Sequence, residues 1–124
     1  MTPLVLIAVA GGGALGAVLR QLTSVSLAGR SRVPLGVLVV NVVGSFIAGV
    51  ALGAPLDLTV QLVIVSGLCG GLTTFSTFAV ETIQLVTAGK HRAALLSVGQ
   101  NLVFGIAAAL IGLALGMAVA TTLA

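Results

Sequence analysis

Apolar residues divide the chain into four long segments separated by short polar or glycine-containing turns. The apolar runs cover residues 4–27, 33–53, 58–89 and 93–120. A helix needs roughly 20 residues to cross a hydrocarbon core of about 30 Å. The pattern therefore predicts an all-α membrane protein, in which residues 1–124 form a single domain of four transmembrane helices.

The third apolar segment is too long, and too rich in glycine and hydroxyl residues, to be one regular helix. Its middle, residues 67–78, reads GLCGGLTTFSTF. Paired glycines followed by hydroxyl and β-branched residues favour unwinding. Broken helices at membrane depth are tolerated where protein or a cavity surrounds the freed backbone, and they often mark an ion site. We expect this helix to be broken near its middle, at residues 70–75.

The composition fits a membrane protein and argues against several other classes. Hydrophobic residues make up 59% of the chain and charged residues 6%, and the mean hydropathy is +1.33. The few basic residues form no phosphate-binding surface, so no nucleic-acid partner is expected. The sequence contains no catalytic triad, metal-ligand cluster or phosphate loop, so we do not expect an enzyme. Cys69 is expected to be a small buried residue.

The loop charges predict the orientation in the membrane. Basic residues occur in only two loops, residues 28–33 and 89–92. They are Arg30, Arg32, Lys90 and Arg92. The second loop and the termini carry no lysine or arginine. Because basic loops stay in the cytoplasm, both of these loops are predicted to be cytoplasmic and both termini to lie outside.

Glycines spaced by four recur in the apolar segments. The pairs are Gly12 with Gly16, Gly49 with Gly53, Gly67 with Gly71, and Gly112 with Gly116. Small residues on one helix face let helices pack closely. Four transmembrane helices are few to enclose an internal pathway, so an oligomer is expected.

A few polar residues are predicted to lie at membrane depth, where they mark either a pathway or a contact between helices. They are Arg20, Asn41, residues 73–77, Glu81 and Asn101. For Asn41 both interpretations remain open, because its amide could bond a neighbouring helix or donate two hydrogen bonds to a dehydrated anion.

Two of the four phenylalanines, Phe75 and Phe78, stand in this polar stretch. If the chain resumes a helix after the break, they share a face with Glu81. The positive edge of an aromatic ring can contact an anion, although core packing is the more common role of such rings.

Three segments together resemble the Fluc/CrcB family of fluoride channels. The central motif at residues 67–78, followed by Glu81, is similar to that family's signature. The first span contributes Gly12, Gly13, Gly16 and Ala17 before Arg20, and the second contributes PLG at 34–36 and VNVVGSF at 40–46. The resemblance covers essentially the whole chain.

The resemblance implies a fluoride-specific channel that exports fluoride passively through the cell membrane of a prokaryote, as an antiparallel dimer. It implies that Asn41, Phe75 and Phe78 line the fluoride pathway. Further polar candidates for its wall are Ser76, Thr77, Glu81 and Asn101. The backbone carbonyls of Gly70 and Thr73 would hold a structural sodium ion (Na⁺) that is not transported.

Two alternatives and one open question remain. A small multidrug-resistance-type transporter also has four spans and an antiparallel dimer, but it needs an acid in the first span, where this chain has Arg20. A structural subunit would leave the motif at 67–78 without a purpose. The dimer partner could be a second copy or, since insertion in both directions requires balanced flanking charge, a paralogue of opposite charge bias.

Overall fold

The computed structural model describes residues 2–124 and contains four segments long and apolar enough to cross a membrane. They are helix α1 (Pro3–Leu27), helix α2 (Leu35–Gly53), a third segment (Leu58–Thr87) and a last helix (His91–Leu123). Most of their large apolar side chains face outward, and Leu4 and Leu95 are each 75% exposed. Apolar surface of this extent requires lipid as its solvent, so the chain is a multi-pass membrane protein.

The third segment is bent because its helix is interrupted. Its first part, helix α3, covers residues 58–72 and includes a π-helical stretch, Leu62–Cys69. Residues 73–75 are not helical, and the chain resumes as helix α4, Ser76–Thr87. The last helix, His91–Leu123, is α5. The sequence did not predict the π-helical stretch.

The interruption is shorter than the stretch in which the sequence placed it. Gly70–Leu72 remain helical, and the chain leaves the helix at Thr73, which is extended with φ −82° and ψ 157°. The glycines have another role here. A Cβ atom at Gly71 would overlap the backbone of Gly13, so Gly71 allows close packing against α1, while the unwinding belongs to the threonine run that follows.

Helices α1 and α3 cross closely through glycines on both sides. A Cβ atom at Gly16 would overlap the Leu68 carbonyl oxygen, and one at Gly67 would lie 2.8 Å from the Val9 carbonyl oxygen. Four-residue spacing repeats this contact one turn further along each helix. The two helices therefore pack backbone against backbone, as their glycine pairs predict.

A second close crossing joins α2 to α5. A Cβ atom at Gly112 would overlap the Phe46 carbonyl oxygen, and one at Gly49 would overlap the Ala109 carbonyl oxygen. Gly53 and Gly116 repeat the arrangement at the next turn. This crossing fixes the height of α5 relative to α2, and so decides which polar residues of the two helices meet.

Local signals explain where the helices begin and end. Thr2 caps α1, since its Oγ1 accepts a hydrogen bond from the Val5 amide at 3.3 Å. Gly29 and Gly89 follow the ends of α1 and α4 with φ values of 74° and 77°, a conformation that favours glycine. Pro34 directly precedes α2, where its fixed φ suits a helix start.

Few side chains are fully enclosed within the protomer. The buried apolar group contains Val37 and Val40 of α2, Leu72 of α3 and Ala94 of α5, and Cys69 is buried with them. This small core lies beside the interruption of the third span. The packing of the protomer therefore supports the part of the fold where the polar residues are concentrated.

Candidate functional site

Asn41 joins the middle of α2 to the interrupted backbone of the third span. Its Nδ2 donates to the Thr74 carbonyl oxygen at 3.1 Å, and its Oδ1 accepts from the Thr74 amide at 2.8 Å. A side-chain amide that pairs with both polar groups of one residue substitutes for the lost helical partners. Asn41 thus holds the break in one geometry.

The same side chain also reaches the last helix. Asn41 Nδ2 donates to Asn101 Oδ1 at 3.2 Å, and Asn101 Nδ2 in turn donates to the Ser97 carbonyl oxygen at 2.9 Å. Both N–H groups of Asn41 are therefore donated to protein acceptors. Of the two interpretations that the sequence left open, the structure shows the bond between helices.

Thr74 is the polar centre of the interruption, and the sequence did not single it out. Its side chain is 8% exposed. Its Oγ1 accepts from the Thr77 amide at 3.1 Å and donates to Thr77 Oγ1 at 3.0 Å, and it lies 3.4 Å from Ser76 Oγ. The bond to an amide three residues ahead is the type that N-capping residues make. In the sequence, the signal for this capping role was the position of Thr74, three residues before Thr77 in the resumed helix.

At the break, two backbone amides do not bond the carbonyl groups that they would bond in a continuous helix. In an α-helix, the amides of Thr74 and Thr77 would donate to the carbonyl oxygens of Gly70 and Thr73. Here the Thr74 amide donates to Asn41 Oδ1, and the Thr77 amide donates to Thr74 Oγ1. The regular helical donor of each of these carbonyl oxygens is therefore used elsewhere.

A cavity of about 440 Å³ opens beside these bonds. It is lined by polar and apolar groups from α2, the break, α4 and α5: Asn41, Ser45, Thr73, Thr74, Phe75, Phe78, Val98, Asn101, Leu102 and Gly105. The Phe75 and Phe78 rings lie 6.0 Å apart between centroids and are tilted by 53°. A mixed wall of ring edges, hydroxyls and amides suits a small ion that has lost most of its water.

The structure brings most of the predicted site residues together. Asn41, Phe75, Phe78 and Asn101 line this cavity with Thr73, while Ser76 and Thr77 adjoin it through Thr74. Ser45 and Gly105 also line it, although neither was predicted as a site residue.

Glu81 lies apart from this group. It lines a second cavity of about 410 Å³ near the first loop, together with Arg32, Gln84 and Lys90. Within the described residues its Oε2 is buried without a hydrogen-bond partner. Arg20, which is half-buried on α1, and Gly70, which is exposed, do not line the cavity around Asn41.

A metal ion held by acidic or histidine side chains has no suitable cluster in residues 2–124. No group of three or more His, Cys, Asp or Glu residues in that range is close enough to hold one.

Comparison with known proteins identifies the family. Residues 7–113 match the family model described as "CrcB-like protein, Camphor Resistance (CrcB)". The chain is 42% identical over 123 residues to the fluoride-specific ion channel FluC 2 of Natronomonas pharaonis, covering 99% of this chain and 100% of that protein. It is 41% identical over 105 residues to FluC 1 of Thermobifida fusca, covering 83% and 88%. To FluC of Methanopyrus kandleri it is 45% identical over 114 residues, covering 88% and 86%. The chain therefore belongs to the CrcB family, whose relatives named here are fluoride-specific ion channels.

Proposed function

We propose that this protein is a fluoride-specific channel that lets fluoride leave the cell passively and so lowers its cytoplasmic concentration. The observation that carries the proposal is the cavity at the break, which two tilted phenylalanine rings line together with Asn41 of α2 and Asn101 of α5. The relatives named above are all fluoride-specific ion channels. The small multidrug-type alternative is not favoured, because α1 carries Arg20 and no acidic residue.

In this proposal the ring edges of Phe75 and Phe78 replace part of the water around fluoride. Asn41 holds the non-helical backbone of the third span in place beside α2 and α5, since its amide is bonded to Thr74 and Asn101. Fluoride is charged and accepts hydrogen bonds more strongly than a neutral carbonyl group does. A passing ion can therefore compete for the Asn41 N–H groups, which then return to their protein partners. Ser76, Thr77 and Asn101 supply further polar groups along the wall.

Export in this mechanism needs no energy source beyond the membrane potential. An interior-negative potential drives an anion outward by about 2.3 kcal/mol per charge for each 100 mV. Selectivity against chloride follows from a narrow passage with few donors, which suits a small, hard anion.

A second protomer is proposed to cover the break. Phe75 is 79% exposed, and Gly70, Ser76 and Thr77 are exposed beside it. Unwound backbone at membrane depth does not face lipid, because lipid cannot satisfy its polar groups. A second protomer packed here in the opposite orientation would enclose the break and complete the pathway with its own rings.

The same arrangement would supply a structural Na⁺ site. The carbonyl groups of Gly70 and Thr73 have lost their regular helical donors, and two protomers related by a two-fold axis would present four such oxygens to one ion. When bound, the ion would supply a fixed positive charge that lowers the cost of bringing an anion nearby. It is proposed to stay in place while fluoride passes.

The partner and orientation follow from charge. We propose that the loops at residues 28–33 and 89–92 are cytoplasmic and both termini outside, in the cell membrane of a prokaryote. The loop charges are strongly biased to one side of the membrane. The partner is therefore more readily a paralogue with the opposite charge bias than a second copy of this chain. Accessibility of terminal tags in whole cells tests this; a roughly equal mixture of both orientations would favour the homodimer instead.

Fluoride efflux from liposomes that contain the chain together with its dimer partner, purified as one complex, tests the function. The expected result is rapid, saturating efflux of fluoride with chloride retained in matched vesicles. Efflux of both halides at similar rates, or of neither from vesicles that contain folded protein, would contradict the proposal.

A further inference from the structure

A groove on the outer side of α5 is not used by the proposed fluoride pathway. Its volume is about 990 Å³, and it begins at the loops that carry the basic residues. Arg32, Lys90 and Arg92 lie at its upper end, and all three are exposed. Below them the wall is largely apolar and includes Leu96 and Phe104.

The charges at the upper end come from two separate parts of the chain. Arg32 comes from the connection between α1 and α2, while Lys90 directly precedes α5 and Arg92 lies in its first turn. Among the residues that the structure describes, no acidic side chain lines this groove. Three cations at the mouth of an apolar groove form a surface that is complementary to one anionic group attached to apolar chains.

The length of the groove matches one leaflet of a bilayer. From Arg92 to Phe104, α5 rises about 18 Å at the α-helical rise of 1.5 Å per residue. Half of a typical hydrocarbon core is about 15 Å. Leu96, Val103 and Phe104 are 53%, 60% and 49% exposed along this length, so acyl chains can lie against them.

We propose that this groove binds one anionic phospholipid of the leaflet next to the first and third loops. Its phosphate lies between Arg32, Lys90 and Arg92, and its acyl chains run along α5 as far as Phe104. This inference does not depend on the transported ion. An inverted second copy is a poorer occupant, because the loop that it brings to this level offers a single carboxylate, Asp57, to three cations.

Native mass spectrometry of the purified chain tests the headgroup contact. The probes are dioleoyl-phosphatidylglycerol and dioleoyl-phosphatidylcholine, which share their acyl chains and differ in net charge. Because the chain is in detergent, loss of basic residues cannot act through a changed orientation in the membrane. We expect the wild type to retain phosphatidylglycerol at least about tenfold more strongly.

The test variant is K90Q/R92Q, and the matched control is R30Q. Arg30 is also an exposed loop cation, but it does not line the groove. At about one kcal/mol per basic residue, loss of two should weaken phosphatidylglycerol binding about 30-fold. R30Q should change it less than about threefold. Equal losses in both variants, or equal binding of both lipids by the wild type, would overturn the proposal.

Photocrosslinking tests what occupies the apolar part. A benzophenone maleimide attached to Leu96→Cys, in a Cys69→Ser background, should crosslink to phospholipid in native membranes and add one lipid mass. Dihexanoyl-phosphatidylglycerol, with the same headgroup and short chains, should compete poorly. Crosslinking mainly to another protein chain would show that a protomer covers the groove and would overturn the assignment. Gel filtration confirms that each variant is folded.

Discussion

Asn41 and Thr74 form a reciprocal pair, in which each residue donates one hydrogen bond to the other across 33 positions of sequence. The pair connects the centre of α2 to backbone that would otherwise be unsatisfied at membrane depth. It therefore determines the shape of the cavity that the two phenylalanine rings enter.

Replacing Asn41 by aspartate should remove function and stability together. Aspartate keeps an acceptor for the Thr74 amide, but its second oxygen would face the Thr74 carbonyl and Asn101 Oδ1, both acceptors. We expect a loss of about 2–4 kcal/mol in the free energy of unfolding. A negative charge beside the pathway should reduce fluoride efflux about a hundredfold or more. Unchanged efflux from N41D vesicles would exclude Asn41 from the pathway.

Isoleucine at Phe75 or Phe78 should reduce fluoride efflux by about tenfold per ring while the protein remains folded. The substitution keeps an apolar side chain and removes the positive ring edge. Phe46→Ile on α2 is the matched control, because Phe46 does not line the cavity. If Phe75→Ile and Phe78→Ile both conduct like the parent, the rings have no direct part in permeation.

Thr74 should need its hydroxyl group and not its methyl group. Thr74→Val keeps the shape but removes the acceptor of the Thr77 amide, so we expect a loss of about 1–2 kcal/mol. Thr74→Ser keeps the oxygen and should stay within about 0.5 kcal/mol of the parent. Unfolding in a mild detergent titrated with dodecyl sulfate measures both, and a loss in Thr74→Ser with none in Thr74→Val would assign the effect to the methyl group.

The crossing of α2 and α5 should not tolerate a side chain at Gly112. A Cβ atom there would overlap the Phe46 carbonyl, so Gly112→Ala should cost more than about 2 kcal/mol. Gly11→Ala is the control, because a Cβ at Gly11 meets no atom within 4 Å. It should be neutral or slightly stabilising in the same unfolding titration.

Removal of Na⁺ should lower the thermal stability of the assembled protein, and the effect should survive the loss of the Thr73 side chain. Thr73→Ala removes the bond from Thr73 Oγ1 to the Cys69 carbonyl, at 2.8 Å, but keeps the Thr73 carbonyl group. The variant should therefore be less stable overall but respond equally to exchange of Na⁺ for N-methylglucamine. Loss of that response in Thr73→Ala would point to the hydroxyl group as the ligand.

Local features of the sequence determined much of this protein. The apolar runs indicated four spans because a bilayer sets the length of a helix. Gly29, Gly89 and Pro34 stand at helix ends because of their own backbone preferences. The glycine pairs indicated close crossings because a spacing of four places both members on one helix face.

Only the tertiary structure decided which polar groups meet. Asn41 could have bonded any neighbour, and the α2–α5 crossing places it beside Asn101, 60 positions away. Glu81 follows the motif by three residues, yet it lies in a different cavity from Asn41. The glycines at 70 and 71 suggested flexibility, but both remain helical and the chain leaves the helix at Thr73, while Gly71 packs against Gly13 of α1. Hydrophobic pattern and turn chemistry act within a few residues, whereas pairing at membrane depth depends on how whole helices pack.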